Sequence, residues 1–186
     1  FERYGKIITP EQLEAMKKQL EVLPVHPVLI STIQAAFAGI TLNALLGFGE
    51  ESGWRGFLQR ELKHLGFLNS SLVIGIIWGV WHAPLIMMGH NYPDHPHSGV
   101  FLMVIFCMLF SPILAYVRQK SGTILAPAIM HGTFNATAGL PLMVLAGGSD
   151  LTTGSLGAAG IIAMGLATLL LTRKMKVDDM VVPHDQ

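Results

Sequence analysis

The sequence predicts an all-α, polytopic transmembrane helix bundle with about five spans, and three observations carry that prediction. Hydrophobic residues make up 51% of the 186, and the mean hydropathy is +0.51. Charged residues make up only 13%, about half the share found in soluble domains. The charges are also clustered. No Asp, Glu, Lys or Arg stands between Glu21 and Glu50, Lys63 and Asp94, Asp94 and Arg118, Lys120 and Asp150, or Asp150 and Arg173. A spanning helix needs about 20 mainly apolar residues, and each of these five gaps is long enough to hold one. A soluble bundle of buried helices would instead keep one polar face on each helix. Net charge is zero, which removes the electrostatic basis for nucleic-acid binding.

Residues 1–25 form a polar amino-terminal segment, in which Leu13, Met16 and Leu20 recur at helical spacing among charges. That pattern predicts a short amphipathic helix on the membrane surface or capping the bundle. The stretch 1–21 is charged throughout and does not resemble a signal peptide. Because the first residue is Phe1, further spans upstream are an expectation. The first span is expected at 26–48, with the helical pattern running on through Arg60. The second is expected at 70–88, the third at 99–117, the fourth at 123–146 and the fifth at 155–172. The connections HNYPDHPHSG, RQKSG and GGSDLTTG are short, polar and rich in turn formers. Residues 26–173 therefore read as one core without internal repeat, followed by a polar tail at 174–186. Cys107 lies in an apolar run with no second cysteine to pair with, and reads as a small buried hydrophobe. Met87, Met88, Met103 and Met108 read as core or lipid-facing fillers.

Basic residues set the orientation. Arg55, Arg60 and Lys63 follow the first span, Arg118 and Lys120 the third, and Arg173, Lys174 and Lys176 the fifth. The loops after the second and fourth spans have no Lys or Arg, so the positive-inside rule places the basic side in the cytoplasm. Residues 1–25, with Arg3, Lys6, Lys17 and Lys18, then fall on the outer side.

Ionisable residues within spans are expensive to bury and are functional candidates for that reason. Glu50, Glu51, His82 and His131 are four such residues. Counted from the expected helix ends, Glu50 and His131 lie roughly 15 Å deep and His82 roughly 18 Å, so three helices place them in one layer. Each has a same-face partner one turn away: Arg55 for Glu51, Trp78 for His82 and Asn135 for His131. Glu50, about 100° around the helix from Glu51, is the freer carboxylate. Gly53, Gly56, Gly79, Ala83, Gly132 and Ala136 would let helices approach closely, and Pro84 and Pro127 would bend theirs. Two imidazoles and a carboxylate suit hydrolysis by an activated water, with or without zinc. The loop residues His90, Asp94, His95 and His97 form a second candidate metal set. Three other functions compete: a haem-binding bundle with His82 and His131 as axial ligands, an ion-coupled transporter, and a catalytically silent immunity or scaffold protein.

Glu50-Glu51-Ser-Gly-Trp-Arg55 fits EExxxR, Trp78-Gly-Val-Trp-His82 fits an FxxxH-type motif with Trp for Phe, and His131-Gly-Thr-Phe-Asn135 fits HxxxN. In that order on transmembrane helices, the chain resembles the CPBP family of intramembrane metalloproteases, which includes CAAX prenyl endopeptidases and lysostaphin-resistance-like (Abi) proteins. The resemblance covers about residues 27–172. It implies an intramembrane endopeptidase acting on a membrane-associated or hydrophobic peptide. Glu50 and His82 would hold and deprotonate a water, with Glu50 as general base. His131 and Asn135 would stabilise the oxyanion, and Glu51 would be a second ligand or the partner that positions Arg55. Glu50, His82 and His131 would hold one divalent metal, zinc first, if a metal assists. The site is expected to open toward the cytoplasm.

Overall fold

The computed structural model describes residues 9–22 and 24–175. Arg3, Lys6, Lys176 and the tail from 177 onward lie outside the described residues.

The amphipathic segment forms helix α1 (Pro10–Glu21). Its start is set by a capping box in which the Thr9 hydroxyl accepts from the Gln12 backbone N–H and the Gln12 side chain accepts from the Thr9 N–H. Leu13, Met16 and Leu20 are its half-buried face, as their spacing predicts.

The first span is a bent pair, α2 (Pro27–Ile40) and α3 (Leu42–Glu51), with a 42° break at Thr41. The helix then runs on through a π-helical segment, Ser52–Leu58, into the short α4 (Gln59–Glu61). Such π segments insert an extra residue per turn and recur at functional sites. This one directly follows the Glu50–Glu51 pair.

The second span is α5 (Phe67–Trp81) and α6 (Ala83–Met87). Pro84 has no N–H for the carbonyl one turn back, so the chain steps at His82 between them. Pro127 does not bend its helix. It sits in the first turn of α8 (Leu125–Thr137), where its missing donor would have had no intrahelical partner anyway. The third span is α7 (Pro96–Ser121), closed by Gly122 in the left-handed conformation.

Phe67–Met87 and Pro96–Ser121 are each long and apolar enough to cross a bilayer, and the bent first pair makes a third span if taken as one. The fourth expected span differs from its prediction. Gly139 and Pro141 interrupt it, leaving α8 at 13 residues and a short α9 (Leu140–Val144). At 1.5 Å per residue, α8 alone reaches only about 20 Å. The fifth expected span becomes α10 (Ala158–Lys174), an apolar helix also below full spanning length. Phe37, Leu45 and Leu46 are each at least 70% exposed, as side chains facing lipid would be.

Small residues set the packing. A Cβ on Gly79 would stand 2.5 Å from Val104 Cα, and one on Gly75 would stand 2.6 Å from Met108 Cα, so α5 and α7 touch backbone to backbone. Gly132 packs against Asn43 and Ala44, and Gly47 against Ala128, which locks α8 onto α3. Gly53, expected to serve the same purpose, meets nothing within 4 Å. Gly79→Ala is therefore expected to destabilise the protein by about 1–3 kcal/mol through overpacking. Gly53→Ala should leave stability unchanged or slightly raised, and thermal unfolding of the two variants in detergent checks the contrast.

Candidate active site

The site is organised around Trp78, which the tight α5–α7 contact leaves 2% exposed. Its indole N–H donates to Glu50 Oε2 at 2.9 Å. Its carbonyl accepts from His82 Nδ1 at 2.8 Å, one turn along the helix. Its ring meets the His131 ring edge-on, with centroids 5.0 Å apart, and the Arg55 guanidinium lies 5.0 Å from its centroid. One side chain thus touches residues from all three motifs.

Glu51 and Glu50 diverge as helix geometry requires. Glu51 is fully buried, and its Oε1 accepts both from Arg55 Nη1 at 3.0 Å and from His131 Nδ1 at 2.9 Å. A carboxylate only accepts, so Nδ1 carries the proton and the ring orientation is fixed. Likewise, His82 Nδ1 donates to a carbonyl. Both imidazoles are thereby left with Nε2 as the nitrogen that can act elsewhere. Arg55 also donates to the Ser111 carbonyl of α7 at 3.4 Å, which joins the pair to a third helix.

Glu50 is half-buried and lines a cavity of about 350 Å³, together with Trp78, His82, His131 and Asn135. Glu51 and Arg55 are not on its wall. They stand behind His131 as its support rather than facing a substrate. The rest of the wall comes largely from Met103 and Cys107 of α7, which reading the sequence assigned to packing, and from Phe106 and Phe110 of α7 and Phe134 of α8, which it did not single out. Phe106 and Phe134 stack at 5.0 Å, and Phe110 lies 5.1 Å from Phe134, giving the site an aromatic floor. No sequence signal separated the α7 residues from lipid-facing ones, because residues 99–117 of that helix are apolar but for Ser111.

Among the described residues no group of three or more His, Cys, Asp or Glu side chains converges to hold an ion, at Glu50, His82 and His131 or at the histidine-rich loop. Glu50 is committed through one oxygen to Trp78. In the loop, His95 Nδ1 pairs with Asp150 Oδ1 at 2.6 Å, and the Asp94 N–H donates to Asp150 Oδ2 at 2.9 Å. Burial alone would raise the Asp150 carboxyl, but those two hydrogen bonds and the His95 charge together hold it below the usual range.

The cavity is walled at one end by His90, Asn91, Ala138 and Leu156. These belong to the loop after α6 and to the region after α8. The expectation placed the opening and the basic clusters on one face. His82 closes α5 and Asn135 lies two residues from the end of α8, so both stand near the loop after α6 and the region after α8.

The chain can do general-base chemistry with Glu50 beside an imidazole, next to a supported second imidazole and a carboxamide. The Type II CAAX prenyl endopeptidase Rce1-like family matches residues 31–137, more than half of the chain and all three motifs. The CAAX prenyl protease 2 of Methanococcus maripaludis is 39% identical over 44 residues, a stretch covering 23% of this chain and 16% of that protein. No solved structure matches. By the family match, the chain belongs to the Rce1-like family of type II CAAX prenyl endopeptidases.

Proposed function

We propose that this protein is an intramembrane endopeptidase that hydrolyses a peptide bond of a hydrophobic or membrane-associated peptide with a water activated by Glu50. The observation that carries the reading is the placement of Glu50 on the cavity wall, held by the Trp78 indole and beside two oriented imidazoles. The Trp78 hydrogen bond occupies Oε2 and leaves Oε1 to take a proton from water. His82, tied back through Nδ1, presents Nε2 to the same water as an acceptor. As the water attacks the carbonyl, negative charge develops on its oxygen. Asn135 donates its amide hydrogens there, while Glu51 holds the neighbouring His131 ring in place through Nδ1. Protonation of the departing amine by Glu50 then completes the hydrolysis. The aromatic floor of Phe106, Phe110 and Phe134 suits an apolar side chain next to the scissile bond.

Two variants test these roles through kcat and KM. Asn135→Ala removes a donor used only as charge develops, and is expected to lower kcat about 10²–10³-fold with little change in KM. Trp78→Phe keeps an aromatic ring but removes the donor that holds Glu50. Hydrogen bonds to charged groups contribute about 1.5–3 kcal/mol, so a loss of about ten- to a hundredfold in kcat is expected. Both are read from cleavage of a quenched hydrophobic peptide library by purified protein in detergent. A chelator, followed by added zinc, tests in the same assay whether a divalent metal assists. A folded protein that cleaves nothing across the library would favour the silent immunity or scaffold reading.

A further inference from the structure

We propose that Asn91 binds the main chain of the substrate where the catalytic cavity meets a second, larger one, so that the peptide is gripped beyond its scissile bond. That the ligand is a peptide rests on the proteolytic reading above. The placing of Asn91 at the junction stands on geometry.

The chain holds Asn91 in a strained turn. Helix α6 ends in a Schellman motif: the Gly89 N–H donates to the Ile86 carbonyl at 2.8 Å and the His90 N–H to the Leu85 carbonyl at 3.1 Å, with Gly89 at φ 95°. The Tyr92 N–H then donates back to the His90 carbonyl at 2.7 Å, across a single residue. That residue is Asn91, at φ 63°, and among the described residues no other side-chain-bearing residue has a positive φ. A γ-turn with its central residue in this region is rare and strained. Tyr92 anchors the far side of the turn. It is fully buried against Gly99, where a Cβ would stand 2.4 Å from its own, and its hydroxyl donates to the Leu156 carbonyl at 2.7 Å. Asparagine tolerates positive φ better than most residues, but glycine would hold the same turn at less cost. What glycine would lack is the carboxamide.

The position of that carboxamide gives it a use. A second cavity of about 770 Å³, more than twice the volume of the catalytic cavity, shares Asn91, Asn135, Ala138 and Leu156 with it. The character of the wall changes across the junction. Phe106 and Phe110 line the catalytic side, while Asp94, Asp150, Thr153 and Ser155 line the other. A peptide lying across both spaces brings main-chain N–H and C=O groups out of water, and each needs a partner. A carboxamide supplies a donor and an acceptor together, whereas a carboxylate only accepts. Asp150 is in any case committed, to His95 Nδ1 and the Asp94 N–H. The Asn91 side chain has no hydrogen bond to another described residue. With Asn135 assigned to the oxyanion, Asn91 is the group at the junction that can pair with the next stretch of main chain.

Asn91→Gly is the direct test, because it keeps the turn and removes the carboxamide. The probes are a short hydrophobic quenched peptide cleaved in the library assay and versions of it lengthened with Gly and Ser at either end. These residues add main chain with little side chain, so a gain from length reads main-chain contact. In wild type, lengthening toward one end is expected to lower KM. Asn91→Gly is expected to abolish that gain, raising KM for the longer peptide about three- to thirtyfold, the effect of one or two hydrogen bonds, with kcat unaltered. No gain from length in wild type, or a gain that survives Asn91→Gly, overturns the proposal. So does a loss accompanied by a lowered unfolding temperature, which would make Asn91 a turn residue only. Cleavage with any of those results leaves the proteolytic reading standing. Absence of cleavage of every library peptide overturns that reading, and the proposal with it.

Discussion

Glu50→Gln is expected to lower kcat about 10²–10⁴-fold with KM and folding unchanged. The substitution is nearly isosteric, and the carboxamide oxygen can still accept from the Trp78 indole, so the helix contacts survive. Only the capacity to take a proton is removed. Activity in purified variant and wild type, measured on one peptide substrate, gives the ratio. Matched thermal unfolding curves show that the loss is chemical. A fall in kcat accompanied by a lowered unfolding temperature would instead assign Glu50 a packing role.

Glu51→Ala should act through a different route and with a large effect on stability. Arg55 and Glu51 are both fully buried in their side chains, and removing the carboxylate leaves a guanidinium charge uncompensated. Breaking a buried pair in this way costs about 3–5 kcal/mol. It also frees His131 Nδ1, so activity falls together with stability. Glu51→Leu combined with Arg55→Met should recover much of the stability, because it removes both charges, but none of the activity. Unfolding in detergent and peptide cleavage, measured on single and double variants, separate the two effects. The pair is poorly satisfied as a purely stabilising element, since Glu51 Oε2, Arg55 Nε and Ser111 Oγ are buried without hydrogen-bond partners among the described residues. Its retention is better explained by the orientation it imposes on His131.

The features of this molecule that were readable from sequence are those that depend on local spacing. Charge-free stretches locate the apolar helices, and the i,i+4 rule pairs Glu51 with Arg55 and sets Glu50 on another face. The His82 and His131 positions stand out because an imidazole in an apolar helix is costly. What depended on direction or distance was not readable. The Glu51–His131 bond joins residues 80 apart in sequence, and spacing within a motif says nothing of it. Trp78 is an aromatic in a motif position, yet its indole N–H reaches Glu50 on α3, 28 residues away, a contact that spacing within a motif does not reveal. The apolar middle of α7 hid the cavity wall, as hydropathy cannot tell a residue facing a site from one facing lipid. The break at Gly139 was hidden too, since hydropathy continues through it.

The central claim, hydrolysis by a water activated at Glu50, is tested most directly by mass spectrometry of peptide products formed in water enriched in oxygen-18. Purified wild-type protein is predicted to yield products with one heavy oxygen in the newly formed carboxyl terminus, and Glu50→Gln to yield almost none. Products that form equally with Glu50→Gln, or that lack the heavy oxygen, would contradict the account.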